Sequence, residues 1–302
     1  NFTYELAKRL SPKYAVTIYC AGQIAPEKFK VKTYKSNAVI PKQTKGIFSK
    51  LYLDLQSFKI LLFSLRIIPS IVKGKYNLII PTNGGWQTII FRIVTKIIGA
   101  KLLITGQAGV GSDDAWNLFF RPDIFVALTK VQLNWAKRLT HEVKSALIPN
   151  GVDLSTFNPK VKKKQLNLKK PIVVCAAALT PYKRVELSIK AVTKAGDMSL
   201  LVLGDGQLKG KIDSLGKRVL GNRYRRLVVP YKEIASYYRS ANVFTLASQT
   251  EAFGISYLEA MACNLPVVTT ADGSREEIIG EAGILTDPQN IGKYAQDLKI
   301  AI

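Results

Sequence analysis

Residues 251–270, Glu251-Ala-Phe-Gly-Ile-Ser-Tyr-Leu-Glu259 followed by Ala-Met-Ala-Cys-Asn-Leu-Pro-Val-Val-Thr-Thr, constrain the fold of this chain more than any other stretch. Helix formers run from Ile255 to Cys263, opened by Gly254 and stopped by Asn264 and Pro266, and the apolar run Val267–Thr270 follows. This punctuation predicts a short helix leading into a buried strand. At Gly254 the helix start leaves unpaired backbone N–H groups facing outward, and the helix dipole favours negative charge there. Without a Cβ at Gly254, a diphosphate can approach the amides of Gly254 and Ile255 closely. Glu251 precedes the helix and Glu259 lies more than a turn inside it, so each can accept hydrogen bonds from hydroxyls on one side of a diphosphate.

The rest of the chain repeats the alternation of strand and helix. In the first part the pattern predicts a helix over Tyr4–Leu10, strands at Tyr14–Tyr19, Tyr76–Ile80, Lys101–Thr105 and Asp123–Leu128, and helices over 46–72 and Trp86–Ile98. In the second part it predicts strands at Pro171–Ala176, Leu200–Leu203, Arg226–Val229, Ala241–Leu246 and Val267–Thr270, with helices over Val185–Ala195, Leu208–Val219, the Ile255 segment and about 290–299. Such alternation means parallel sheets with crossover helices, in two doubly wound domains. A chain of 302 residues with 47% hydrophobic side chains can fill two cores. The expected boundaries are 1–150 for the first domain, 151–170 for a linker rich in turn residues and lysine, and 171–302 for the second. Ligand is expected in the cleft at the carboxyl ends of the strands.

Charge is unevenly spread. Residues 1–101 hold 17 Lys/Arg against 3 Asp/Glu, a surplus of 14 out of the net +23. This attracts polyanions such as an anionic membrane surface, or serves solubility alone. The apolar run Ile60–Val72 is interrupted by Arg66 and Pro69 and is too short to span a bilayer. Lys45, Lys50, Lys59, Arg66, Lys73 and Lys75 flank or punctuate it, a composition suited to lying in a membrane interface. The competing expectation is a crossover helix packed on the sheet with one exposed side. Cys20, Cys175 and Cys263 are far apart and odd in number, which points to free thiols in a reducing compartment, the cytoplasm. Neither a D-x-D, nor an H-E-x-x-H, nor a cysteine cluster occurs, so no metal and no cofactor beyond the substrates is expected.

The E-x7-E spacing with an E-x-F-G opening resembles the donor-site signature of family 4 of the glycosyltransferases, which have the two-domain GT-B fold. Further blocks agree in order: Ile148-Pro-Asn-Gly-Val-Asp153 with Phe157, Leu179-Thr-Pro-Tyr-Lys183, Leu203-Gly-Asp-Gly206, and Glu277-Ile-Ile-Gly-Glu-Ala-Gly-Ile-Leu-Thr-Asp287. The resemblance extends over roughly the whole chain and is most specific after Ile148. It implies an opening strand and glycine loop before Tyr4 and final helices after the 290–299 segment, so both ends are expected to be cut.

Residue by residue, the resemblance implies that Glu251 holds the donor sugar, Glu259 the ribose, and Gly254, Ile255 and Lys183 the diphosphate. Phe253 belongs to the same opening. The arginine usual before the lysine is missing, since those positions read Ala177-Ala178-Leu179, and Arg184 follows Lys183 where glycine is common. Arg184 is therefore the candidate to compensate. Gly204 and Gly206 permit close backbone approach, Val229 and Tyr231 lie where the family contacts the base, and Ser248 and Thr250 can contact phosphate or satisfy the loop backbone. Gly106-Gln-Ala-Gly-Val-Gly-Ser-Asp-Asp114 resembles the acceptor-side loop, a long polar loop. Gln107 stands where relatives carry histidine, and Asp113 and Asp114 are candidates for acceptor hydroxyls. The lone histidine, His141, lies in an unrelated segment and reads as a surface residue.

The resemblance thus implies a hexosyltransferase, retaining in outcome, that uses a nucleoside diphosphate sugar and a glycan or lipid-linked acceptor. It would be cytoplasmic, with peripheral attachment to the inner face of the cell membrane as a further candidate. Two rivals are an epimerase or glycan phosphorylase on the same fold, and a non-catalytic basic module for membrane or nucleic acid. The first lacks extra acid/base residues or a pyridoxal lysine, and the second lacks a nucleic-acid signature, so no nucleic acid is expected.

Overall fold

The computed structural model describes residues 2–22, 29–34 and 52–302. They divide into two compact units, Asn1–Ala127 with Leu133–Ala146, and Leu128–Gln132 with Leu147–Ile302.

The first unit runs α1 (Phe2–Leu10), β1 (Thr17–Cys20), β2 (Lys30–Thr33), α2 (Leu55–Gly74), β3 (Leu78–Ile79), α3 (Trp86–Ile98), β4 (Lys101–Thr105), α4 (Ser112–Phe119) and β5 (Ile124–Ala127). After α5 (Lys130–Leu139) comes β6 (Lys144–Leu147). Strands β3, β4, β5 and β6 form one sheet in that order, while β1 and β2 pair in parallel in a sheet of their own. The helix expected over 46–72 begins at Leu55, because the Asp54 carboxylate accepts from the N–H groups of Gln56 at 2.8 Å and Ser57 at 3.1 Å. That is an N-cap, which fixes where a helix can start. Residues 46–51, with Lys45, lie outside the described residues. The full helix α2, longer than the apolar run Ile60–Val72, is long and apolar enough to cross a membrane by length and composition only, a test that the core helix of a soluble protein also passes. One face is nevertheless tied into the unit: Ser64, Ile67 and Ile71 are buried, and Lys32 Nζ donates to Ser70 Oγ at 2.9 Å.

A second correction concerns Gly106–Asp114, expected as one polar loop. The chain turns helical at Ser112, so Asp113 and Asp114 occupy the first turn of α4, where the helix dipole favours carboxylates.

The second unit contains β7 (Ile172–Ala176), α6 (Val185–Ala195), β8 (Ser199–Leu203), α7 (Lys209–Leu220), β9 (Tyr224–Leu227), α8 (Ile234–Tyr238) and β10 (Val243–Leu246). The elements α9 (Ile255–Ala262), β11 (Val267–Thr270), α10 (Gly273–Ile279), β12 (Gly283–Thr286) and α11 (Ile291–Ile300) complete it. Its six-stranded parallel sheet has the order β12-β11-β10-β7-β8-β9. Read from β9, that is the doubly wound order 3-2-1-4-5-6, which reverses between β7 and β10. All of β8 and β10 is buried, as a strand covered by helices on both faces must be. Residues 151–170, expected as a linker, pack onto this unit: Phe157 is fully buried in its core, and Val152, Val161, Leu166 and Leu168 lie against it. Phe157 meets the Tyr231 ring edge-on at 5.4 Å, so the turn before it is held by aromatic packing.

Candidate donor site

In a doubly wound sheet the order reversal leaves a crevice at the carboxyl ends of the two strands beside it. Here those strands are β7 and β10, and the loops that follow them carry Lys183 and Glu251. After β7 the chain makes a short 3-10 turn, Pro181–Lys183, whose first proline pre-sets the backbone. Gln249 N–H donates to the Tyr182 carbonyl at 2.7 Å, joining this turn to the β10 loop. Lys183 Nζ then lies 2.5 Å from Glu251 Oε1, and both side chains are largely buried, 15% and 11% exposed. Ser248 Oγ donates to the same carboxylate oxygen at 2.7 Å. The sequence motifs placed Lys183 and Glu251 at one site, and within this unit they form one ion pair.

Glu259 is only 6% exposed and accepts from Tyr231 OH at 2.8 Å and Tyr238 OH at 3.4 Å. Burial raises its pKa above the ordinary glutamate value, while the two phenol donors pull it back. Each carboxylate oxygen has a second lone pair, so these bonds leave capacity for further hydroxyl donors. Tyr231, half exposed, thus reaches Glu259 directly, and Val229 is partly buried against the core.

Gly254 opens α9 with φ 82° and ψ 61°, the left-handed region that favours glycine. A Cβ there would fall 2.3 Å from the Tyr257 ring. The glycine therefore makes room for Tyr257 on that side, and the helix N-terminus, with Ile255 partly exposed, remains the anion-favouring feature. Phe253 is buried at 5% exposure and Thr250 is exposed. At Gly204 a Cβ would meet the Ala177 carbonyl oxygen at 1.9 Å, and at Gly206 the backbone of Leu179 at 2.7 Å. The close approach the two glycines allow is that of the chain's own β7 loop, which bonds across through Leu179 N–H to Asp205 O at 2.9 Å.

Arg184 adopts φ 47°, in the left-handed region that favours glycine. Its Nε donates to the Ala247 carbonyl at 2.7 Å and its Nη2 lies 3.5 Å from Thr270 Oγ1. The guanidinium ties the loops after β7 and β10 to the end of β11, so Arg184 serves as a brace of these loops.

Sequence reading missed Arg275. This side chain is 1% exposed, pairs with Asp272, and donates from Nη2 to the Ser248 carbonyl at 3.0 Å and from Nε to Tyr257 OH at 3.3 Å. Thr270 Oγ1 donates to the same Ser248 carbonyl at 2.8 Å. These bonds fix the backbone three residues before Glu251. Asp272 as the N-cap of α10 was a legible signal, whereas the burial of the arginine depends on tertiary packing. Tyr238 and Tyr257 were missed for the same reason.

The acceptor-side candidates lie in the first unit, on a cavity of about 610 Å³ lined by Tyr52, Asn83, Thr88, Gln107, Asp113, Asp114 and Asn117 among others. Tyr52 OH donates to Asp113 Oδ1 at 2.9 Å, and Asn117 Nδ2 to Asp114 Oδ1 at 3.1 Å. Asp114 is 1% exposed, and burial pushes its pKa up to about 6 against the hydrogen bonds it accepts from Asn117, Gly109 and Ala108. It braces the 106–111 loop from inside, while Asp113 is exposed. Gly106 is buried, its N–H donating to Val126 O at 2.8 Å. Among the described residues no group of three or more His, Cys, Asp or Glu is placed to hold a metal ion.

Comparison with known proteins places this geometry in a class. The family model "Glycosyl transferases group 1" matches residues 156–302, the range that contains Lys183, Glu251 and Glu259. A GDP-mannose-dependent monoacylated alpha-(1-6)-phosphatidylinositol monomannoside mannosyltransferase of Corynebacterium glutamicum is 25% identical over 169 residues, 49% of this chain and 44% of that protein. The chain thus spans less than half the length of this curated relative. Among solved structures, a sucrose-phosphate synthase from Thermosynechococcus elongatus superposes with TM-score 0.80 at 21% identity, covering 99% of this chain and 82% of that one. HepE of Anabaena, solved with UDP and glucose, gives 0.75 at 16% identity, covering 98% and 84%. The fold is GT-B, two α/β units with mostly parallel sheets, and the chain is related to the group 1 glycosyl transferases.

Proposed function

We propose that this chain transfers a hexose from a nucleoside diphosphate sugar to an acceptor hydroxyl, with retention of anomeric configuration as the family 4 resemblance implies. The observation that carries the proposal is the convergence, within the second unit, of an ammonium group, a helix N-terminus and two carboxylates at the reversal of strand order. The family match over the same residues supports it, as do the sugar-transfer activities that the relatives' names describe.

In this reading the bond between the anomeric carbon and the diphosphate breaks as the acceptor oxygen attacks, and the acceptor's hydroxyl proton passes to the departing diphosphate oxygen. Lys183, with three N–H donors, keeps its bond to Glu251 and turns the others to the diphosphate, where negative charge grows. The N–H groups at the start of α9 stabilise the same charge. Glu251 accepts from sugar hydroxyls and thereby holds both donor and lysine in register, while Glu259 accepts from the ribose. We assign the acceptor, a glycan or lipid-linked sugar, to the polar cavity of the first unit, and the reaction to the cytoplasm, which the three unpaired cysteines support.

The test is calorimetry and nucleotide release with UDP- and GDP-linked hexoses. One donor should bind, Glu259→Ala should weaken it, and Glu251→Ala should abolish release while the fold persists. Equal release by wild type and Glu251→Ala would refute the proposal.

A further inference from the structure

The helix α2 has two rows of side chains that the transfer chemistry does not use. Leu55, Phe58, Leu62, Leu65, Pro69 and Val72 recur at spacings of three and four residues, which puts them on one stripe of the helix. All six are exposed, Leu55 at 60%, Phe58 at 52%, Leu62 at 50%, Leu65 at 48% and Val72 at 45%. Directly beside this stripe runs a second, Lys59, Arg66 and Lys73, each seven residues from the next. The opposite face, with Ser64, Ile67 and Ile71, is buried against the unit, and the helix packs on α3. A crossover helix normally turns its polar side outward. Here the outward side is the apolar one.

The surrounding sequence gives the sign of the partner. From residue 55 to residue 112 the chain carries Lys59, Arg66, Lys73, Lys75, Arg92, Lys96 and Lys101 and not one Asp or Glu. A second copy of this chain would bring the same cations against these, and like charges repel. An apolar stripe bordered by cations fits a surface with an apolar interior and anionic headgroups, on which such a helix lies with its stripe at the headgroup boundary. Because its inner face is tied to β2 through Lys32 and Ser70, the helix docks from the side and stays part of the folded unit.

We infer that the exposed face of α2 is a docking surface for an anionic lipid bilayer. It sets the enzyme on the membrane surface, and the inference is independent of the donor chemistry.

The test is co-sedimentation of the full chain with phosphatidylcholine vesicles and with mixed phosphatidylcholine/phosphatidylglycerol vesicles, without sugar nucleotide. Binding should require the anionic lipid, fall as salt is raised, and be reversed by alkaline carbonate. Leu62→Ser/Leu65→Ser should weaken it about tenfold or more, since each leucine loses most of its transfer into the boundary. Lys59→Gln/Arg66→Gln should weaken it about tenfold in total on anionic vesicles. Circular dichroism and donor calorimetry on each variant separate a lost surface from a lost fold or a lost donor site. Failure to bind anionic vesicles at low salt, or binding that both variants leave unchanged, overturns the inference. So does resistance to carbonate, which would mean a spanning helix, or a concentration-dependent dimer that Leu62→Ser/Leu65→Ser dissociates. Preference for RNA over vesicles in the same salt also overturns it.

Discussion

The sheets of the two units differ in how they are covered. In the second unit β8 is buried along all of its length, and the loops that leave this sheet are bonded to one another through Gly204, Leu179, Gln249 and Arg184. In the first unit β4 alternates, with Lys101 exposed, Leu102 and Ile104 buried and their neighbours between. Its helix α2 keeps an apolar stripe outward. A site built on the fully covered sheet is held in place by backbone, so its charged groups need little reorganisation when charge develops. A half-covered unit leaves its apolar and basic surface for association. Under the proposed function, chemistry falls to the second unit and acceptor or surface recognition to the first.

The sharpest way to break this division is at Lys183. With Lys183→Ala, turnover should fall on the order of a hundredfold or more, equivalent to about 3 kcal/mol of transition-state stabilisation. Asp113→Ala in the first unit should raise the acceptor KM and leave kcat with saturating acceptor within about threefold. Steady-state kinetics on both variants decide. A kcat loss at Asp113 equal to that at Lys183 would place chemistry on both units and end the distinction.

Glycines probe the same contrast in stability. At Gly204 an added methyl meets a backbone carbonyl at 1.9 Å, so Gly204→Ala should cost about 3 kcal/mol or more, because neither partner can rotate away. Gly99, at φ 72°, has nothing within 4 Å of where its Cβ would be. Gly99→Ala should cost only the left-handed backbone penalty, about 1 kcal/mol. Urea unfolding followed by tyrosine and tryptophan fluorescence measures both. Equal costs would mean that the β7 and β8 loops can separate freely, against the close lacing described.

Much of the second unit was legible in the sequence, for a physical reason. Its glycines, prolines and apolar runs encode local geometry: Gly254 starts a helix, Pro266 follows its end, and fully buried strands read as continuous apolar stretches. Lys183 and Glu251 are joined by the resemblance of their motifs to the family's donor signature, and each does follow a strand, β7 and β10, beside the reversal of strand order. What stayed hidden was decided by tertiary packing. Nothing local told that Arg275 would be buried under the Ser248 carbonyl, or that Tyr257 would fill the space at Gly254. In the first unit glycine and serine mask the helix start at Ser112 within 106–114, and periodicity alone does not fix the face that α2 turns to solvent, since its apolar residues extend past one face.

Buried carboxyls give a comparison by pH. Both Asp114 and Glu259 have pKa values raised by burial, but Glu259 is compensated by two phenol donors and Asp114 by an amide and backbone N–H groups. For Asp114 the folded value is about 6 against an ordinary 3.8, so the native state holds the proton more tightly than the unfolded chain. The stabilisation is fully present below pH 3.8 and is lost as pH rises through 6, up to about 3 kcal/mol across the window. Asp114→Asn should flatten this slope. Chemical denaturation of wild type and variant from pH 4 to pH 7 tests it, and parallel curves would show that Asp114 does not titrate in that range.

The smallest expected effect separates the two ways the donor loops are held. Arg184 contributes a bond to the Ala247 carbonyl but sits at φ 47°, where a Cβ costs about 1–2 kcal/mol relative to the ordinary helical region. Both Arg184→Ala and Arg184→Gly lose the bond, and only the alanine keeps the backbone penalty. Glycine loses part of its advantage to its more disordered unfolded state, by roughly 0.4–1 kcal/mol. The glycine variant should therefore be the more stable of the two by about 1 kcal/mol or less, and both should be less stable than wild type if the bond to Ala247 outweighs the strain. Should Arg184→Gly equal or exceed wild type, the side-chain brace contributes nothing net, and the loops after β7 and β10 are held by backbone alone. Should alanine match glycine, the left-handed conformation at this position is not maintained in solution, and the turn that presents Lys183 to Glu251 is looser than the geometry of the second unit implies.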